Sequence, residues 1–253
     1  MNPQTQNKRT GTLFCRSFLQ LVNKQHPVAT TPPETMEPAL PGSQELLCHT
    51  PAGLLRALLQ KTETQHSIVA VSGYRSRARQ AQIYTETEEQ NGVEFAQKYV
   101  ALPSCSEHET GLAIDLAARA PHIDFIRPQL PASGAFGHFR AFAPQYGFIQ
   151  RYTKSKTHIT GIEEEPWHFR YVGWPHAEIM QKQDLALEEY IGILQGFYTP
   201  QNALTYSLAG RNFYIFTAEY EKAEQYRQEY KEKRQLCQCS GNNAGGVVVT
   251  VWQ

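Results

Sequence analysis

The chain has 253 residues, of which 41% are hydrophobic and 19% are charged, a balance typical of a globular protein and not of a disordered one. Its 24 lysines and arginines are matched by 24 aspartates and glutamates, so it has no basic surplus that would indicate binding to nucleic acid. No apolar run in the sequence approaches the roughly 18–20 residues that a membrane-spanning helix needs.

The first half of the chain predicts helices and short strands in mixed order. A helix is expected to begin near Thr50 and Pro51, with Thr50 as N-cap, because the leucines that follow share one helical face. Residues 67–71 form an apolar, β-branched run that predicts a buried strand, and the sequence SGYRS then opens a second helix. The alternating sequence LAIDL at residues 112–116 predicts another strand, with Asp115 facing outward, away from the leucines.

The second half continues this order and then changes in character. Residues 167–172 predict an aromatic strand, and residues 175–197 predict one or two helices. The remainder predicts a strand at 213–216, a charged helix and a β-hairpin, but contains no cluster of reactive side chains. We therefore expect a main domain of residues 1–197 and an accessory α+β extension of residues 198–253.

The cysteines indicate the compartment. The chain has five of them, an odd number dispersed along the sequence, which predicts reduced thiols and no disulfide framework. The N-terminal sequence lacks the uninterrupted apolar stretch and the small-residue cleavage site of a signal peptide. Together these features predict a cytoplasmic protein.

Two segments carry residue types that suit a metal centre. In SEHETGLAID, residues 106–115, a bend at the glycine would bring Asp115 beside His108. In EEEPWHFRYVG, residues 163–173, His168 can supply a third ligand. Two imidazoles and one carboxylate suit zinc and leave a fourth position for water, as in catalytic zinc sites. A buried Asp115 without a partner would be costly, and binding to a metal removes that cost.

A carboxylate beside such a site can act as a general base. Glu163, Glu164 and Glu165 all lie close to His168 in the sequence, and their spacing alone does not decide among them. The alternative for each isolated histidine is an ordinary packed or solvated side chain, which is the commoner role of that residue.

Several motifs, in the same order, resemble the zinc D-alanyl-D-alanine peptidases of the vancomycin-resistance type, which include VanY carboxypeptidases, VanX dipeptidases and VanXY enzymes with both activities. The resemblance covers about residues 65–195 and is carried by SGYRS (72–76), SEHETGLAID (106–115), YGFIQRY (146–152) and ITGIEEEPWHFRYVG (159–173). It implies an α+β fold of the hedgehog or D,D-peptidase type, a small antiparallel β-sheet flanked by helices, here with a C-terminal α+β appendage.

The resemblance also implies a role for individual residues. His108, Asp115 and His168 would bind one zinc ion per chain, and Glu165 would be the general base. Zinc lowers the pKa of bound water towards about 7. Glu165 would accept the proton of the attacking water and later donate it to the departing amine.

Three further residues would act on the substrate in this family. Arg75 would stabilise the oxyanion that develops on the scissile carbonyl, and Gln80 and Ser106 would hold the terminal residue or its carboxylate. The substrate would be D-Ala-D-Ala or a D-Ala-terminated muramyl peptide, in vancomycin resistance or in recycling of wall precursors. An L,D-carboxypeptidase that trims tetrapeptide stems would use the same catalytic residues. A protein that only binds wall fragments would have no use for Glu165 and Arg75.

Overall fold

The structure is a computed structural model that describes residues 17–28 and 35–253. The contacts among the described residues form two compact units, one within residues 22–187 and the other of residues 188–253 with residues 17–21. The domain boundary that we predict after residue 197 stays a prediction. In the part of the chain that is described, no helix is long and apolar enough to cross a membrane.

The unit of residues 22–187 mixes short strands and helices. Its strands and helices are β1 (Met36–Pro38), β2 (Leu46–Cys48), α1 (His49–Lys61), β3 (Ile68–Ser72), α2 (Arg77–Asn91), α3 (Val93–Tyr99), β4 (Ala113–Ala118), α4 (Gly134–Phe142), β5 (Phe148–Tyr152), α5 (Thr157–Thr160), β6 (Glu165–Tyr171) and α6 (His176–Lys182). β1 pairs with β2, and the other strands form an antiparallel sheet in the order β3-β4-β6-β5. The predicted α+β class is confirmed.

Helix α1 starts earlier than the sequence predicts. Its N-cap position is held by Cys48 and not by Thr50, because β2 runs directly into the helix and the Cys48 backbone N–H donates a 2.9 Å hydrogen bond to the Gly111 carbonyl oxygen. Pro51 still lies within the first turn, where its missing N–H removes no helical hydrogen bond. The helix itself is confirmed and buries five apolar residues, Pro51, Ala52, Leu55, Leu58 and Leu59.

Strand β4 is buried on both faces. Ala113, Ile114, Leu116 and Ala117 are almost fully buried, so the alternation of large and small side chains does not separate a core face from a solvent face. Asp115 is also buried, and the expectation that it faces outward is wrong in this sense. Its face of the sheet is covered by other polar residues, as described below.

The register of the sheet determines which polar side chains meet. Asp115 of β4 lies opposite Ser72 of β3 on one side and opposite His168 of β6 on the other. Residues directly opposite on antiparallel strands place their side chains on the same face, about 5 Å apart. Strand pairing alone therefore brings Asp115 next to His168.

The second unit contains the C-terminal extension. Its elements are α7 (Leu187–Leu194), β7 (Leu204–Leu208), β8 (Arg211–Ala218), α8 (Tyr220–Glu232), β9 (Cys237–Gly241) and β10 (Val247–Trp252). The four strands form an antiparallel sheet in the order β7-β8-β10-β9. Its core contains Phe216, Ala218, Val249 and Val251, with aromatic side chains of α8 packed against them. The predicted strand, charged helix and hairpin are therefore confirmed.

The described cysteines are free thiols, as the sequence predicts; they are Cys48, Cys105, Cys237 and Cys239. Cys15 lies outside the described residues.

Candidate active site

One open cleft contains every side chain that the sequence and the resemblance assign to a site. These residues come from five separate segments, and they are Arg75, Gln80, Ser106, His108, Asp115, Glu165 and His168. The cleft is also lined by the aromatic residues Tyr152 and Trp167. Its polar floor lies on the face of the sheet that carries Asp115 and His168.

His108 lies on a short 3₁₀ helix, Glu107–Thr110, that leads into β4. Its Nδ1 is 2.7 Å from the carbonyl oxygen of Gly73, which can only accept, so Nδ1 carries the proton and Nε2 has the free lone pair. Gly73 is required at this position because a Cβ atom would collide with the carbonyl oxygen of Leu46. Gly111, with φ of +69°, ends the 3₁₀ helix and turns the chain into β4, as the sequence predicts.

The three predicted ligands converge in this cleft. Asp115 Oδ2 is 3.1 Å from His108 Nε2, and Asp115 Oδ1 is 2.9 Å from His168 Nδ1. One potential ligand atom from each residue lies within 4.8 Å of the others, and all three residues are buried. The donor set is therefore two imidazole nitrogens and one carboxylate oxygen.

These residues fit a metal ion. His108 Nε2 is buried and makes no hydrogen bond of acceptable geometry with the described residues. A buried polar atom without a hydrogen bond is costly, and binding to a metal ion would remove that cost. Burial lowers the pKa of His108 to about 4, with Arg75 adding to the effect, so its imidazole is neutral, the form that binds a metal. Burial raises the pKa of Asp115, but His108 and His168 outweigh it and keep this carboxyl ionised.

Glu165 is the buried carboxyl next to the predicted ligands. Its Oε2 is 3.8 Å from His168 Nδ1. Burial raises the pKa of Glu165 to about 8, against the lowering effect of His168, and the negative charge of Asp115 adds to the rise. A carboxyl that gains and loses its proton near neutral pH is suited to proton transfer. Glu164, by contrast, is exposed.

Arg75 provides a fixed positive charge at the edge of this group. Its Nη2 is 3.4 Å from Asp115 Oδ2, and its side chain is mostly buried. The buried Nε makes no hydrogen bond to any described residue, so the guanidinium keeps a donor for another group. Burial lowers the pKa of Arg75, and the charge of Asp115 opposes this.

Gln80 and Ser106 lie farther along the same cleft. Gln80 is fully buried; its Nε2 donates a 2.7 Å hydrogen bond to the Ala101 carbonyl oxygen, whereas its Oε1 has no partner among the described residues. Ser106 is almost completely buried at the start of the 3₁₀ helix. Both side chains can hold polar groups of a small ligand.

Glu107 is a further residue of the site that the sequence did not predict. This carboxylate is buried and lines the cleft, and its neighbours are Arg151, Arg170 and His168. Burial raises its pKa, but the charges of Arg170 and Arg151 outweigh this and hold the pKa well below its usual range. The signal available in the sequence was its place between two residues of the SEH motif, but its partners lie on strands distant in the chain.

The comparison with families and curated proteins gives concordant matches. Residues 46–174 match the family model described as VanY, D-alanyl-D-alanine carboxypeptidase. The chain is 38% identical over 175 residues to the bifunctional D-Ala-D-Ala dipeptidase and D-Ala-D-Ala carboxypeptidase VanXYC of Enterococcus gallinarum. That match covers 68% of this chain and 92% of the relative.

Two solved structures extend the likeness. The vancomycin resistance D,D-dipeptidase VanXYg, in complex with a D-Ala-D-Ala phosphinate analogue, is 40% identical, covers 94% of each chain and superposes with a TM-score of 0.86. The LD-carboxypeptidase LdcB is 36% identical and covers 69% of this chain and 86% of its own, with a TM-score of 0.59. The first of these likenesses includes the C-terminal extension; the second is confined to about two thirds of the chain.

Proposed function

The chain belongs to the VanY family of D-alanyl-D-alanine carboxypeptidases, and we propose that it is a zinc-dependent D,D-peptidase. Its substrates would be the dipeptide D-Ala-D-Ala and muramyl peptides that end in D-Ala-D-Ala. The observation that carries the proposal is the convergence of a buried His-Asp-His set with the protonatable Glu165 in one cleft. The likeness to the bifunctional VanXYC over 68% of the chain supports both substrates, and the likeness to the dipeptidase VanXYg over 94% of the chain supports the dipeptide.

The metal would be held by His108 Nε2, an oxygen of Asp115 and His168 Nδ1. Zinc is the ion that this combination of nitrogen and oxygen donors suits, and a solved VanY relative is described in complex with Zn(II). When bound, zinc would polarise the scissile carbonyl and lower the pKa of water. With three protein ligands, one position would remain for that chemistry.

The remaining steps belong to side chains of the cleft. Glu165 would accept a proton from the attacking water and pass it to the nitrogen of the departing D-amino acid as the C–N bond breaks. Arg75, with a free Nε donor, would stabilise the oxyanion that develops on the carbonyl. Removal of such a preorganised donor typically costs about 10²–10³ in kcat.

Gln80 and Ser106 would bind the end of the substrate. The Gln80 amide is held by its hydrogen bond to Ala101, so its unpartnered oxygen has a defined direction and would accept a donor from the peptide. Ser106 would use its hydroxyl for the terminal carboxylate. Both proposals follow from the resemblance to the family and from the place of the two side chains in the cleft.

We further propose that the enzyme acts in the cytoplasm on wall precursors, where removal of D-Ala-D-Ala termini would contribute to vancomycin resistance or to recycling. The free thiols among the described cysteines support a reducing compartment. Fractionation of cells that produce the protein, followed by immunodetection, would test the location.

The activity is tested by release of D-alanine from three substrates: D-Ala-D-Ala, a muramyl pentapeptide and a muramyl tetrapeptide. We expect release from the first two and loss of about 10²–10⁴ in rate in Glu165→Gln, because the proton carrier is removed. Glu164→Gln is the matched control, since this neighbouring carboxylate is exposed. Release from the tetrapeptide alone would change the assignment to an L,D-carboxypeptidase.

A further inference from the structure

We propose that Glu107 is a positioning residue of the metal centre, whose carboxylate holds the imidazole of His168 with Nδ1 towards the metal. The inference deepens the function proposed above and rests on its metal site. It concerns a side chain that neither the spacing of residues nor the resemblance to the family indicated.

The contacts of Glu107 are divided between its two oxygens. Oε1 accepts hydrogen bonds from Arg151 Nε at 2.8 Å and from Arg170 Nη1 at 2.7 Å. Oε2 is 3.2 Å from His168 Nε2. The carboxylate is thus anchored by two arginines at one oxygen and meets the histidine with the other.

This contact selects the nitrogen that can bind a metal. A carboxylate between two arginines can only accept hydrogen bonds, so His168 Nε2 must carry the proton that it donates to Glu107. In a neutral imidazole the other nitrogen, Nδ1, then has the free lone pair. Nδ1 is the atom that lies 2.9 Å from Asp115 Oδ1, inside the candidate metal site.

The two histidines of the site are therefore held in opposite ways. His108 is fixed through Nδ1 by the carbonyl oxygen of Gly73, and presents Nε2. His168 is fixed through Nε2 by Glu107, and presents Nδ1. A carbonyl group of the backbone cannot be replaced by a point mutation, whereas Glu107 can, so the inference is open to a direct test.

The anchoring of Glu107 follows from the fold. Arg170 lies two residues after His168 on β6, so both side chains point to the same face of the sheet. Arg151 reaches the same carboxylate from β5. Glu107 and both arginines are fully or almost fully buried, and the carboxylate has no room to turn towards solvent.

The test is the zinc affinity of Glu107→Gln, measured by competition with a chromophoric chelator. The new amide oxygen is expected to face the two arginines, which leaves the NH₂ group towards His168 Nε2. That donor favours the tautomer with the proton on Nδ1, which is the wrong one for the metal. We expect the affinity to fall by about 10–100-fold, the usual effect of removing a partner of a ligating histidine.

Glu109→Gln is the matched control. Glu109 lies on the same 3₁₀ helix and is also buried, but its carboxylate accepts from the Ser104 backbone N–H at 2.7 Å and lies 3.6 Å from Arg77. We expect this variant to keep the affinity of the wild type. A folded Glu107→Gln variant with wild-type affinity would overturn the inference while the metal site stands, whereas a wild-type chain that binds no zinc would overturn both.

A second measurement does not depend on the folding of the variant. In zinc-loaded wild-type protein with ¹⁵N-labelled histidine, the ¹⁵N shifts and ¹H couplings identify which ring nitrogen of His168 carries a proton. We expect a protonated Nε2 and a metal-bound Nδ1. A metal-bound Nε2 would refute the proposed role of Glu107 directly.

Discussion

The two four-stranded antiparallel sheets of this chain differ in the side chains that their middle strands bury. The middle strands β4 and β6 of the first sheet bury Asp115, His168 and Arg170. The middle strands β8 and β10 of the second sheet bury mainly apolar side chains, such as Phe216 and Val249. Both sheets bury apolar side chains, but among the described residues only the first sheet also buries charged side chains in its middle strands.

Buried charged groups on the first sheet and on the 3₁₀ helix beside it are stabilised by one another. A buried charge without a partner costs several kcal/mol, and a buried pair roughly offsets that cost when its hydrogen bonds are complete. Glu107 meets this condition with two arginines and a histidine. Glu165 lies farther from its nearest cation, at 3.8 Å from His168, and burial raises its pKa.

The largest effect on the free energy of unfolding is expected from the second sheet, β7-β8-β10-β9. Phe216→Ala removes a fully buried ring and should lower the free energy of unfolding by about 3–5 kcal/mol, through lost burial and the cavity left behind. Denaturant unfolding measures this. The zinc affinity of the folded fraction should remain that of the wild type, and a parallel loss of both would contradict the division between the sheets.

Arg75, which follows β3, tests the charged side chains of the cleft beside the first sheet. Arg75→Met should lower kcat by about 10²–10³, because the charge that stabilises the oxyanion is lost, while the free energy of unfolding changes less than in Phe216→Ala. Steady-state kinetics on D-Ala-D-Ala measures the effect. Arg77→Met is the control, since this arginine is largely exposed. Equal losses in the two variants would refute a specific role for Arg75.

Glu165 should make the stability of the metal-free protein depend on pH. With a pKa raised to about 8, the folded state keeps a proton that the unfolded chain has lost above its ordinary value of 4.5. Stability therefore falls as the pH rises between these values. Glu165→Gln removes this dependence and should be more stable than the wild type at pH 8, by about 1–3 kcal/mol.

The measurement is denaturant unfolding in the presence of a chelator, at several pH values between 4.5 and 8. His168, whose pKa rises to about 9 because hydrogen bonds to Asp115 and Glu107 outweigh its burial, titrates in both proteins. The difference between the proteins therefore reports the proton of Glu165 together with its effect on the neighbouring His168. A difference that does not grow with pH would show that Glu165 is ionised in the folded state.

The smallest effect is expected from charges on the surface of the second unit. Arg227 on α8 pairs with Glu224 at 2.9 Å, and both side chains are about half exposed or more. Arg227→Ala should change the free energy of unfolding by only about 0.2–0.5 kcal/mol, because solvent screens the pair. Thermal unfolding at low and high salt checks this, and a loss above that range would mean that the pair is not screened.

Local patterns in the sequence predicted the α+β class and the candidate ligands His108, Asp115 and His168. The resemblance to the family added Arg75, Gln80 and Ser106 and the choice of Glu165 among three glutamates, and all seven residues line the cleft. A β-branched run, an alternating segment and the motifs around His108 and His168 are each readable within about ten residues. The catalytic and binding roles of these residues stay predictions.

What the sequence did not reveal depends on pairing between distant segments. Glu107 meets Arg151 and Arg170 only because β5 and β6 are neighbours, and these arginines are 44 and 63 residues away in the chain. The start of α1 was misplaced for a similar reason, since Cys48 is held by a hydrogen bond to Gly111. The spacing of residues within one segment does not predict either of these contacts.

The pairing of Asp115 with His168 also makes the stability of the folded protein depend on the supply of the metal ion. These two predicted ligands are 53 residues apart and become neighbours only when β4 and β6 pair, so the unfolded chain offers no such site. An ion that binds only the folded state stabilises it by about 2.7 kcal/mol at a hundredfold excess over its Kd. Cells starved of the ion would therefore lose the enzyme to proteases as well as its activity.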